Sequence, residues 1–152
     1  MSLNAAELDA TGFKVLTTNY TTQRSTADSK HIPIIAYWTP GNGCSYCNTF
    51  ESKVYGNEGF KTWMKETPYI WTYSNEEQHT PGQNEAYKAA KSGCLGKFPF
   101  VLLHWKVSDN FEINVNFSGR EATLPMPGSN LVEQFKNVIN FIFGSYVPTA
   151  PQ

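Results

Sequence analysis

The spacing of apolar positions changes several times along the chain, and each change marks an element. Ile32–Trp38 is a nearly unbroken apolar run, the pattern of a strand covered on both faces. From Cys44 the period lengthens. Cys47, Phe50 and Val54 recur at i, i+3 and i+7 and predict one face of a helix, which Gly56 and Gly59 interrupt before Phe60, Trp63 and Met64 resume it. Tyr69–Tyr73 predicts an aromatic strand, Asn84–Lys91 a short helix ended by Gly93, and Phe100–Trp105 another apolar strand. Beyond a turn at Ser108-Asp109-Asn110, Phe111, Ile113, Val115 and Phe117 alternate with Glu112, Asn114 and Asn116. That period of two suits the second arm of an antiparallel hairpin with one wet face. Asn130 and Glu133 form a capping box for a last helix with the stripe Leu131, Phe135, Val138 and Ile142, stopped by Gly144. Ahead of all these, Phe13–Thr17 suggests a first strand, and Thr21–Ser29 is polar enough to make only a poor helix.

In order this is β-α-β-α-β-α-β-β-α, which predicts an α/β protein: a three-layer α/β/α sandwich around a central mixed sheet. No repeat, low-complexity tract or linker divides the 152 residues. They are expected to form one domain with its core over about 9–146 and loose tails at both ends. Composition supports a packed core, being 40% hydrophobic and 14% aromatic. A formal net charge of -1 without any block of like charge argues against a nucleic-acid binder and a polybasic membrane-surface protein. The longest apolar stretches are too short to span a bilayer. The opening Met1-Ser2-Leu3 has the look of an engineered start, which leaves room for a natural leader or anchor ahead of it. Sparse charge with abundant Asn, Thr and Tyr leans towards an extracytoplasmic setting, although a cytoplasmic one fits as well.

Three cysteines are too few for a disulfide-stapled scaffold. Cys44 and Cys47 form a C-x-x-C at the start of the predicted helix, and Cys94 stands alone. Disulfide exchange needs a thiolate to attack and a second thiol to resolve the mixed disulfide. A cysteine at a helix N-terminus gains from unpaired N–H groups and the helix dipole, and a second one turn further in is shielded but close. An inert disulfide and half of a zinc site are the alternatives. Zinc would need two more ligands from Cys94, His31, His79 and His104, none in a paired spacing. Pro99, lacking an N–H at a strand start, leaves backbone groups of Phe98 free to face the motif.

This order of elements, with C-x-x-C after the second strand, resembles the thioredoxin superfamily. Ala36-Tyr37-Trp38 leads into the motif as an aromatic pair does there. Gly96-Lys97-Phe98-Pro99 resembles the family's Gly-x-x-Pro, and Phe117-Ser118-Gly119-Arg120 its turn after the last strand. The stretch from Cys44 to Phe60 looks most like the subgroup with a broken motif helix. The resemblance covers roughly Ile32 to Gly144 and implies a cis proline facing a redox-active dithiol, with no cofactor beyond Cys44 and Cys47. It implies that an extended segment of a partner protein pairs beside Phe98-Pro99. Tyr46, Trp38, Phe98 and Tyr37 are the candidate apolar rim for that segment, and the chain is expected to act as a monomer.

Several residues depart from the family pattern. The buried acid that serves proton transfer would fall at Ala36, and Gly43 replaces the tryptophan before the first cysteine. Glu51, one turn beyond Cys47, is the candidate substitute acid, with a solvated helix charge as the plainer reading. Ser45-Tyr46 brings no cation to the thiolate, which predicts a potential of roughly −270 to −180 mV and a leaning towards reduction. Two functions follow: a thiol-disulfide oxidoreductase acting on protein cysteines, or a thioredoxin-like binding module with poor turnover. Cys94 is expected as a buried free thiol, with a second resolving cysteine as the alternative.

Overall fold

The strand β1 (Ile34–Thr39) buries all six of its residues. Alternation along it sends Ile35 and Tyr37 into one core and Ile34, Ala36 and Trp38 into another, so the sheet has a packed layer on each face. The computed structural model describes residues 20–40, 43–75 and 81–148. The expected strand Phe13–Thr17 and the ends of both tails lie outside them. β2 (Ile70–Asn75) pairs with β1 in parallel, β3 (Phe100–Ser108) pairs with it antiparallel, and β4 (Phe111–Ser118) closes a hairpin on β3. The order is β2-β1-β3-β4, a mixed four-stranded sheet.

On one face lie α1 (Tyr20–Lys30) and α4 (Pro81–Gly93), whose Tyr20, Ala27, Tyr87 and Ala90 pack with Trp38, Ile70, Phe100 and Leu102. The other face carries α2 (Ser45–Phe50), a π-helical turn continuing it (Glu51–Tyr55), α3 (Glu58–Glu66) and α5 (Leu131–Phe143). Phe135 of α5 is the hub of this second core. Its ring lies 5.0–6.4 Å from those of Phe50, Tyr55, Phe60, Trp71 and Phe117, which ties the motif helix to the sheet.

The interrupted helix is real. Gly56 closes the π-helical turn, and Asn57 restarts the chain by accepting the Phe60 N–H at 2.8 Å. Asn130 caps α5 in the same way through the Glu133 N–H at 2.9 Å. Gly144 follows that helix at φ −62°, in right-handed backbone, and the helix ends there as expected. The alternation in β4 fades towards the hairpin tip, where Phe111 is exposed while Phe117 is buried.

α1 is a full helix despite its polar sequence, because side-chain bonds replace an apolar stripe. Arg24 donates to Asp28 at 3.2 Å and to the Tyr20 hydroxyl at 3.0 Å. Asp28 in turn meets Nε2 of the fully buried His104 at 2.7 Å, and His104 Nδ1 meets Asn114 Oδ1 at 2.7 Å. A polar chain thus runs from α1 through β3 to β4.

Candidate active site

Strand register assembles the site from three distant segments. Trp38 pairs with Phe100, so Pro99 lies at the sheet end where β1 runs out towards Cys44. Phe100 pairs with Ser118, which places Gly119 beside Pro99, and the Gly119 N–H donates to the Pro99 carbonyl at 2.8 Å. A Cβ on Gly119 would lie 2.6 Å from Pro99 Cγ and 2.9 Å from Phe50 Cδ2, so only glycine lets the proline, this turn and α2 meet.

Cys44 and Cys47 are joined as a disulfide with Cα atoms 5.3 Å apart. Cys44 is the N-cap of α2, in extended conformation, and its sulfur accepts the Cys47 N–H at 3.1 Å. It is partly exposed, whereas Cys47 is buried at 1% exposure. Gly43, at φ +70°, makes the left-handed step into the cap. An N–H directed at the outer sulfur favours charge there, and the inner sulfur is shielded from anything but its partner. The Phe98–Pro99 peptide bond is cis.

No protein-family model matches the sequence, and no curated protein matches it. Solved structures do. The chain superposes on a thioredoxin from Thermus thermophilus with a TM-score of 0.54 and 14% identity, covering 83% of this chain and 86% of that one. It superposes on a protein described as DsbH oxidoreductase with a TM-score of 0.56 and 14% identity, covering 93% of this chain and 89% of the other. The chain has the thioredoxin fold.

Against that fold, the surroundings of the dithiol are unusual. Ala36 carries no acid and sits in the core shared with α1 and α4. Glu51 is not a solvated helix charge. Its carboxylate accepts the Tyr37 hydroxyl at 2.8 Å and the Tyr73 hydroxyl at 2.9 Å, joining the motif helix to β1 and β2. Burial first, and then this carboxylate, holds the Tyr37 and Tyr73 hydroxyls above the usual tyrosine range. Tyr55, enclosed beside them, is raised for the same reasons.

Two rim expectations are corrected. Trp38 is fully buried, its ring 5.2 Å from that of Tyr20, and Tyr37 is fully buried between Phe50, Tyr55 and Tyr73. A central strand covered on both faces has no side chain to offer a partner. Phe98 is half-buried with its ring stacked on Phe100 at 4.0 Å, and Pro99 is buried. The Phe98 carbonyl is not free either: the Arg120 Nε–H donates to it at 3.0 Å. Tyr46 stays on the surface at 51% exposure, and the Arg120 guanidinium lies 4.0 Å from its ring centroid. Sequence reading noticed Arg120 only as part of a turn. Its place directly after the glycine that abuts Pro99 was the available signal.

Cys94 is a buried free thiol, pushed up to about 11 by desolvation. Among the described residues no three His, Cys, Asp or Glu side chains gather as a metal site, and no helix is long and apolar enough to cross a membrane.

Proposed function

We propose that this chain is a thiol-disulfide oxidoreductase that exchanges its Cys44–Cys47 pair with cysteines of protein substrates, leaning towards reduction. The observation that carries this reading is the asymmetry of the pair: an outer sulfur that accepts a backbone N–H, and a buried partner one helical turn away. In the reducing direction, the Cys44 thiolate attacks one sulfur of a substrate disulfide and expels the other as thiolate. Cys47, losing its proton, then attacks Cys44 Sγ and releases the second substrate thiol. Two electrons pass from the dithiol to the substrate, and the chain is left with its internal disulfide. An extended substrate segment lying beside Phe98-Pro99 fits the open surface at Tyr46, and no cofactor is required.

The absence of an acid at Ala36 and the engaged Phe98 carbonyl favour a second reading, a partner-binding domain with poor turnover. Reduction of insulin disulfides by dithiothreitol separates the two. An oxidoreductase precipitates the insulin chain catalytically and loses this ability in Cys44→Ser, whereas wild-type rates equal to the uncatalysed background would reject the enzyme reading. Cys47→Ser should accumulate mixed disulfides through Cys44. The composition that leans towards an extracytoplasmic setting is consistent with either role.

A further inference from the structure

Beside the dithiol opens a cleft of about 420 Å³, lined by Tyr46, Lys97, Arg120, Glu121 and Leu131 among others. It begins at the third residue of the C-x-x-C, because Tyr46 directly precedes Cys47. Arg120 is held there from two sides, by its Nε–H bond to the Phe98 carbonyl at 3.0 Å and by the Tyr46 ring 4.0 Å beneath its guanidinium. Both contacts leave the terminal nitrogens of the fork unspent. Among the described residues no carboxylate is paired with Arg120 or with Lys97, and the neighbouring Glu121 is exposed. Two cations against one acid leave the cleft short of negative charge.

We propose that Arg120 is a specificity-determining residue, and that the cleft receives an acidic side chain from the protein segment presented to Cys44. This deepens the oxidoreductase reading and rests on it for the identity of the substrate as a cysteine-bearing segment. A carboxylate is the chemistry that fits a guanidinium fixed in plane. Two parallel N–H···O bonds form at once, and the ordering cost is already met by the contacts to Phe98 and Tyr46. Lys97 is exposed at the mouth, where solvent screens its charge, so it contributes little to the preference. The Phe98 carbonyl keeps one lone pair, so Arg120 narrows backbone pairing there without abolishing it. Recognition moves from the main chain to a side chain.

The test uses the oxidised protein and two blocked peptides, acetyl-Ala-Glu-Ser-Glu-Ala-amide and its Gln counterpart, with serine standing where a substrate has cysteine. Acid on both sides removes any dependence on binding direction. Binding is followed by NMR titration, reading the signals of Tyr46 and Arg120. The Glu peptide should bind at least about tenfold more tightly than the Gln peptide. Arg120→Gln should erase the difference, and Arg120→Lys should keep only a few-fold preference because a point charge replaces the fork. Equal affinities, no binding of either peptide, or a preference that survives Arg120→Gln would each overturn the proposal. Turnover of 2-hydroxyethyl disulfide, which carries no charge, is measured separately on the wild type. Its absence would count against the redox reading alone, since the affinity difference does not depend on it.

Discussion

Alkaline pH should destabilise this protein through two tyrosines in particular. Tyr37 is 0% and Tyr55 4% exposed, and their hydroxyls are raised well above the ordinary value of 10.0 by burial and by Glu51. Above pH 10 the unfolded chain releases these protons while the native state keeps them. The unfolded state then binds fewer protons, so unfolding free energy falls as pH rises. The stability is fully present below pH 10 and is lost from there upward, until the native hydroxyls themselves ionise. Each group contributes a limiting slope of about 1.4 kcal/mol per pH unit. Across the rounded onset, from pH 10 to 11, the two together should remove about 2 kcal/mol. That is a sizeable share of the roughly 5–15 kcal/mol available to a domain. Urea unfolding of the oxidised protein at pH 8, 10 and 11 measures it. Tyr37→Phe is the decisive control. It should be less stable at pH 8 by about 1–2 kcal/mol, having lost a hydrogen bond to a carboxylate. Between pH 10 and 11 it should fall by about 1 kcal/mol less than the wild type. Equal falls in the two proteins would show that the Tyr37 hydroxyl is not held protonated by the fold, and the account of this core would have to be abandoned.

Gly119→Ala should cost about 1–3 kcal/mol and slow disulfide exchange, because the added Cβ meets Pro99 and Phe50 at less than contact distance. Thermal melts and insulin turnover check both effects, and a variant with unchanged values in each would show that the three segments are not in contact. Cys94, with its thiol raised to about 11, should be alkylated at least about tenfold more slowly at pH 8 than a surface cysteine. Iodoacetamide labelling followed by mass spectrometry reads this directly, and rapid labelling in the native protein would contradict the burial.

Local patterns made much of this legible from sequence. The run at Ile32–Trp38, the C-x-x-C at a helix start and Phe98-Pro99 before an apolar strand all lie where reading placed them, because each is encoded within a few residues. α1 was obscured because only Tyr20 and Ala27 of it are buried, and the half-buried Arg24 and Asp28 act through hydrogen bonds, which leave no trace in hydrophobic periodicity. α4 extends beyond Asn84–Lys91 at both ends, its exit made by Leu95 and Gly96 at φ 54° and 74°. Trp38 was misplaced on the rim although its own strand pattern already required burial on both faces. Apart from its place after Gly119, nothing in the sequence marks Arg120 as a partner of Phe98 and Tyr46. Its position follows from the pairing of Phe100 with Ser118, a contact between residues remote in sequence.

The Glu51 carboxylate gives the motif helix a pinned far end. Hydroxyls from two strands converge on it, while Phe50 and Tyr55 on either side are locked among rings. Among the described residues, the near end at Cys44 is held, besides the disulfide, only by bonds from its own helix, the Cys47 N–H to its sulfur and the Asn48 N–H to its carbonyl. Once the disulfide is reduced, opening costs are graded along a single helix, low at the first turn and approaching the global value by the π-helical turn. Amide hydrogens at the first turn therefore exchange with solvent from small, frequent openings, and those around Glu51 only from rare ones. In the exchange proposed above, the first turn would open towards a substrate while the core behind it stays closed.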